Sequence, residues 1–132
     1  MKTIEIASAI ILQNENGEQK LFAAKRNYGE YKGFWEFPGG KLEVGENPSD
    51  CVIREMREEL SLDVFVLREV ETIEYDYPAF HLKMHCMLCE IASGTMTLSV
   101  HDEVRMLSKD TLYSVKWLPA DIAVLKKIET LL

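Results

Sequence analysis

Long hydrophobic runs are missing from this sequence: no segment of its 132 residues approaches the roughly 18 consecutive apolar positions that a membrane-spanning helix needs. Excess basic charge is missing as well. With 15 Lys and Arg against 22 Asp and Glu the net charge is −7, and so acidic a chain is a poor partner for long DNA or RNA. It can still meet a polyphosphate if divalent cations sit between the two anions. Cysteine is scarce and odd in number: Cys51, Cys86 and Cys89. That usage, with no secretion signal, excludes a disulfide framework and fits a reducing compartment. Cys86 and Cys89 form a C-x-x-C, but within FHLKMHCMLCE they read as strand residues pointing to opposite faces, and no second pair completes a zinc set. They are expected to be buried structural thiols.

Low-complexity stretches, internal repeats and Gly- or Pro-rich linkers are absent too, so residues 1–132 are expected to form one domain. The opening MKTIEIASAIILQNENGEQK has the outline of a short signal peptide. Glu5 interrupts its apolar run, however, and the pattern passes directly into a turn and a second strand. We read it as mature structure of a cytoplasmic protein.

What is present reads as alternating strands with two helices. Thr3 to Leu12 is a β-branched strand, Asn14 to Gly17 a turn, and Lys20 to Lys25 the returning strand. Asn27 to Phe34 is a loop, and Trp35 to Gly40 a short strand running into a glycine turn, with irregular chain from Leu42 to Glu46. Asn47 caps a helix with Pro48 at its first position and Asp50 in its first turn. Val52, Ile53, Met56 and Leu60 form its inward stripe. Leu62 to Tyr77 and Phe80 to Ile91 are two long antiparallel strands joined at Pro78-Ala79, and Thr97 to Leu107 holds a shorter one. Ser108 caps a brief helix over Lys109 to Tyr113, and an amphipathic helix runs from Ile122 to Leu131. Mixed strands with a central and a C-terminal helix predict an α/β sandwich.

The chemistry concentrates in GGKLEVGENPSDCVIREMREELSL, Gly39 to Leu62. Glu55, Glu58 and Glu59 are spaced i, i+3, i+4, so they share one helix face, at the edge of the apolar stripe. Glu46 adds an acid from below. Like charges so placed repel, and a cation would relieve them. Oxygen-only ligands suit hard ions, Mg²⁺ or Mn²⁺, which can also bind phosphates and polarise a phosphoryl oxygen. An acidic solvent face laced by Arg54 and Arg57 is the plain alternative.

The wider spacing decides between them. Gly40, five residues, Glu46, seven residues, then Arg54-Glu55-Met56-Arg57-Glu58-Glu59-Leu60-Ser61-Leu62 closely resembles the Nudix box, G-x5-E-x7-R-E-U-x-E-E-x-G-U with U aliphatic. Gly40, Glu46, Arg54, Glu55, Glu58 and Glu59 all match at fixed spacing, an agreement expected by chance about 10⁻⁷ times per start position. Ser61 departs, standing where the family has a glycine that closes the helix with a left-handed turn.

The resemblance implies an α/β/α sandwich with a mixed β-sheet, and Mg²⁺-dependent (or Mn²⁺-dependent) hydrolysis of a nucleotide phosphoanhydride. It implies that Glu58 and Glu59 bind metal, that Glu55 is a further ligand or the general base, that Arg54 orients the glutamates, and that the Gly39 carbonyl ligates metal. Arg26 and Lys41 are the implied phosphate contacts, and Phe37, in W-E-F-P-G-G-K, lies with the substrate. The hairpin ending in Lys25-Arg26 and the closing L-P-A-D are most similar to the MutT branch, which acts on nucleoside triphosphates. In that branch an acid in the late loop serves as an extra ligand or base. Val100 falls at its position here, with His101, Asp102 and Glu103 beside it, and Met106 falls where relatives often have Trp. Asp121 is near a base-contacting position, or is a helix N-cap. His81 and His85 share a strand face that lines the cleft or is simply half-exposed, while Tyr28, Tyr31, Phe34 and Trp35 offer stacking surface for a base, core packing being the default for Trp35.

A nucleoside triphosphate, 8-oxo-dGTP or a cytidine-type nucleotide, is the expected substrate, giving a monophosphate and pyrophosphate. ADP-ribose, a dinucleoside polyphosphate and a non-catalytic nucleotide-sensing role are the alternatives. Exposed apolar strand surface leaves room for a homodimer.

Overall fold

A computed structural model describes residues 1–132. Strand β1 (Thr3–Glu15) turns back into β2 (Glu18–Arg26) through Asn16 and Gly17, both left-handed at φ 54° and 83°. Two left-handed residues make the hairpin turn whose twist matches the flanking strands, and the Asn14 side chain accepts the Gly17 N–H at 3.0 Å. The strands therefore run closer to the turn than the sequence suggests. Two short strands follow, β3 (Trp35–Glu36) and β4 (Gly39–Lys41), then helix α1 (Pro48–Leu60). β5 (Asp63–Tyr77) and β6 (Phe80–Ser93) are the long antiparallel pair, β7 (His101–Leu107) is the last strand, and α2 (Pro119–Glu129) closes the chain.

The seven strands form one mixed sheet in the order β3-β2-β1-β6-β5, with β4 also on β1 and β7 on β2. β1 runs parallel to β6 from Thr3 beside His81 to Ile11 beside Cys89; every other pairing is antiparallel. On its other side β1 changes partner, from β4 at Ile6–Ser8 to β2 at Leu12–Glu15. Pro38 bridges the fork by accepting the Ala9 N–H at 2.8 Å.

Alternation along the strands divides the apolar residues between two faces. Ile10, Leu21, Ala23, Met84 and Cys86 bury against Val124, Leu125 and Ile128 of α2, with Trp35, Phe37 and Trp117. Ala7, Ala9, Ile11, Phe22, Ala24 and Cys89 bury against Cys51, Val52, Met56 and Leu60 of α1. The two-faced sheet between helices is the expected α/β/α arrangement. Cys86 and Cys89 fall in different clusters, and all three thiols are buried and unpaired. No helix is long and apolar enough to cross a membrane.

Helix α1 begins and ends where its sequence punctuation places it. Asn47 accepts the Asp50 N–H at 2.8 Å and Pro48 opens the first turn. Ile53 is only partly buried, and Cys51 takes a place in the stripe instead.

Four local expectations fail. Gly39–Lys41 is a strand paired with β1 rather than a turn, because the extended chain finds open ladder positions beside Ile6–Ser8. The segment before His101 is loop. Residues 109–113 form turns, not a helix: Thr111 Oγ1 takes the Ser108 N–H at 2.8 Å, a side-chain bond that competes with helical pairing. Helix α2 starts three positions before Ile122, at Pro119, whose fixed φ suits a first turn. Replacing Asn47 with Ala is expected to lower stability by about 1 kcal/mol, read from urea unfolding midpoints; a variant matching the parent would show that the cap does not hold this helix.

Candidate active site

Arg54 organises the acidic face of α1. Its guanidinium donates twice to Glu46, through Nε at 2.8 Å and Nη2 at 2.9 Å. Nη1 reaches Glu55 at 2.9 Å and Glu58 at 3.1 Å, and Nη2 also reaches the Lys41 carbonyl at 3.1 Å. The Arg54 hydrogen bonds, aided by the Glu43 backbone, hold the Glu46 carboxyl down at about 2. The same contacts push Arg54 above its ordinary range. The helix supplies Arg54, Glu55 and Glu58 on one face, and the loop before it brings Glu46 underneath.

Strand β4 lies directly against this face. A Cβ on Gly40 would overlap the Glu55 carboxyl, and one on Gly39 would overlap the Ala7 carbonyl oxygen. Bare backbone is therefore what lets β4 sit between β1 and the glutamates. Glu59 turns inward, and its Oε2 is buried with no hydrogen-bond partner. Burial first, then the negative charges of Glu55 and Glu36, raise the Glu59 carboxyl well above the usual carboxylate range.

An orphaned buried oxygen beside two further acids is the setting that a hard cation relieves, and Glu55, Glu58, Glu59 and the Gly39 carbonyl are oxygen donors of the kind Mg²⁺ takes. The donors and the site fit such an ion. As they stand, the side chains are not grouped around one point: Glu58 leans on Arg54 instead.

On the other face of the sheet a cleft of about 340 Å³ opens beside β1. Ile4, Ile6, Ser8, Phe80 and Leu82 line its floor, and Tyr28 and Tyr31 its outer wall. Gly39, Gly40 and Lys41 form the rim shared with α1, and Phe37 lies deep within. Asp121 is 4% exposed, in the first turn of α2, and its Oδ2 accepts the Phe37 N–H at 3.0 Å. It is not the N-cap; Leu118 is. Burial, then the charge of Glu36, pushes the Asp121 carboxyl well up.

Glu36 is the residue that sequence reasoning missed. Its charge acts on both Glu59 and Asp121, it pairs with Arg26 at 3.7 Å, and it meets His101 Nε2 at 2.9 Å. The sequence signal for it is its place in the W-E-F-P-G-G-K run, next to Phe37, with which it lines the cleft. A register shift at Lys25/Arg26, where β2 meets β7, brings Arg26 and His101 opposite each other.

The other candidates separate. Arg26 stacks over Tyr28 with Cζ 4.4 Å from the ring centroid and leaves its Nε buried and unbonded. Of the late-loop residues only His101 turns inward; Asp102 is exposed and Glu103 pairs with Arg105 at 2.7 Å. Trp35 is core, and Phe34 does not line the cleft. His81 and His85 do not line it either. They bond Glu74, Asp76 and Glu5 at 2.8, 2.5 and 2.6 Å.

Comparison with known proteins agrees with this geometry. The NUDIX domain profile matches residues 3–130. The chain is 37% identical over 95 residues to an 8-oxo-dGTP diphosphatase of Escherichia coli K12, covering 71% of each protein. It is 29% identical over 126 residues to a CTP pyrophosphohydrolase of the same organism, covering 96% of this chain and 91% of that one. Among solved structures, the E. coli ORF135 protein superposes with a TM-score of 0.80 at 29% identity, over 99% of this chain and 91% of that one. The spacing from Gly40 to Leu62, the sandwich that presents it and a profile match over nearly the whole length agree, and the chain belongs to the Nudix hydrolase family.

Proposed function

We propose that the chain hydrolyses a (deoxy)nucleoside triphosphate to the monophosphate and pyrophosphate with Mg²⁺, Mn²⁺ being an alternative, in the manner of nucleotide-pool sanitation. The observation that carries the reading is the buried, unpartnered Glu59 oxygen beside Glu55 and Gly39, the last of which lines a cleft of about 340 Å³. Glu55, Glu58, Glu59 and the Gly39 carbonyl would hold the metal, which when bound neutralises phosphate charge and acidifies a water. The water oxygen bonds to phosphorus, the anhydride P–O bond breaks towards pyrophosphate, and a glutamate, Glu55 or Glu59, takes the water's proton. Arg54 holds Glu55 and Glu46 in place throughout, and Lys41 and Arg26 face the phosphates. Three unpaired thiols suit a reducing cytoplasm.

The base would lie between the tyrosine wall and Phe37, against Glu36 and Asp121. Glu36 accepts a hydrogen bond, and Asp121, whose carboxyl burial pushes well up, donates one. That pair matches the N4 amino group and N3 of cytosine, or the N1–H and O6 of a guanine-type base. The relative aligned over most of both chains acts, by its name, on CTP, and its near-complete coverage favours the cytidine class.

Pyrophosphate release from a panel of canonical and modified triphosphates, with Mg²⁺, Mn²⁺ or EDTA, tests the reading. Turnover should need metal and concentrate on one or two nucleotides. Glu58→Gln and Glu59→Gln should each lose about 100-fold or more, and full metal-dependent turnover in either variant would sink the assignment.

The raised Asp121 carboxyl also fixes a pH dependence. The neutral form is favoured in the fold, so its contribution is complete below the unfolded carboxyl value near ~3.9. It is lost as pH rises through the higher folded value. Asp121→Asn lacks that loss. Urea midpoints of the parent should fall relative to the variant as pH rises from about 4 to about 9, whereas parallel curves would show that Asp121 stays charged.

A further inference from the structure

Ser61, the one departure from the family spacing, has a specific surrounding in this chain. It ends α1 in the left-handed region at φ 56° and ψ 34°, with its N–H on the Arg57 carbonyl at 3.1 Å. Glycine adopts this conformation without cost, and a serine there is strained. Its hydroxyl is used: Ser61 Oγ and Thr97 Oγ1 are 2.7 Å apart.

Thr97 belongs to the loop from Gly94 to Val100, which folds over the end of α1. The Thr97 N–H donates to the Leu60 carbonyl at 3.0 Å, and Ser99 Oγ to the Glu59 carbonyl at 3.1 Å. These carbonyls are among the last four of the helix, which have no intrahelical partner. Gly94 passes so close that a Cβ there would lie 2.5 Å from the Ser61 carbonyl oxygen. The loop's larger apolar side chains, Met96 and Leu98, are 41% and 42% exposed. Polar contacts with the helix end, rather than core packing, therefore set its position.

The loop continues to the cleft. Asn27 donates from Nδ2 to the Ser99 carbonyl at 3.2 Å and from its backbone to the Val100 carbonyl at 3.1 Å. Asn27 lies between Arg26 and Tyr28, which line the cleft and stack on each other. Hydrogen bonds, joined by short stretches of the chain itself, thus connect the C-terminus of the glutamate helix, through Ser61, Thr97 and Ser99, to Asn27 beside the tyrosine wall.

We propose that Ser61 is a positioning residue, whose hydroxyl fixes the 94–100 loop against α1 and through Asn27 sets the wall on which the nucleotide rests. The proposal rests on the hydrolase reading above, with the loop replacing by hydrogen bonds what a glycine terminus would leave free.

The test uses Ser61→Gly, which restores the family residue and relieves strain, so folding is not endangered. Amide exchange at Thr97 and Asn27 should accelerate about fivefold, as for one lost hydrogen bond, while the interior of α1 is unchanged. KM for the preferred triphosphate should rise by a similar factor with kcat within about twofold. Thr97→Val should reproduce both effects, Thr97→Ser should retain parental behaviour, and the double variant Ser61→Gly/Thr97→Val should be no worse than either single one. Unchanged exchange and KM in Ser61→Gly would overturn the proposal, as would faster exchange with unchanged KM. Exchange does not depend on turnover: a parent without activity would defeat the hydrolase reading, and the Asn27 amide would still decide whether Ser61 holds the wall.

Discussion

A single guanidinium within 4.0 Å of four carboxylates (Glu43, Glu46, Glu55 and Glu58) makes the acidic face of α1 tolerable as a fold. Without Arg54 that face would set like charges against one another beside an apolar stripe. With it, Glu46 is fixed beneath the helix and Glu55 is held against Gly40 of β4. Arg54 also accepts no substitute easily, since its planar fork serves Glu46 bidentately while the remaining N–H groups reach elsewhere. Of the helix's glutamates only Glu59 lies outside its reach, and Glu59 is the acid whose Oε2 is buried without a hydrogen-bond partner.

That placement joins two faces of one sheet. Helix α1 packs on one side through Ala7, Ala9 and Ile11, and the cleft opens on the other over Ile4, Ile6 and Ser8. They meet where β1 exchanges β4 for β2, because the glycines of β4 let the glutamates approach the rim. Glu36 is the electrostatic link: its charge raises both Glu59, on the helix, and Asp121, in the cleft. A ligand bringing cations to one end and hydrogen-bonding groups to the other would relieve both.

The parts legible in the sequence were those set by local rules. Asn47, Pro48 and the 3.6-residue stripe located α1 almost to the residue, and alternation separated Cys86 from Cys89. The parts that escaped depend on contacts far apart in the chain. Asp121 read equally well as a cap because its partner, the Phe37 N–H, is 84 positions away. Glu36 stood within W-E-F-P-G-G-K without a readable role, since that role comes from Arg26, His101 and Asp121 converging through three separate segments. His81 and His85 were correctly placed on one strand face, but the parity of that face relative to the cleft is fixed only by the parallel register of β6 on β1. A shift of one residue would have turned both inward.

The four contacts of Arg54 are not equal, and their inequality suits a metal-dependent enzyme. The Glu46 pair is bidentate, with the Glu46 side chain 13% exposed, so separating it would strand a carboxylate at the base of the helix. Glu58 is 58% exposed, at helical i, i+4 spacing, and meets Arg54 through one contact at 3.1 Å. Exposed pairs of that kind contribute about 0.3–0.5 kcal/mol. Little therefore opposes Glu58 turning from Arg54 to a cation beside Glu59, while Glu46 and Glu55 keep the arginine in place. The same side chain that makes the acid cluster foldable thus surrenders one acid cheaply, and of the two helix glutamates it holds, that acid is the solvent-facing one.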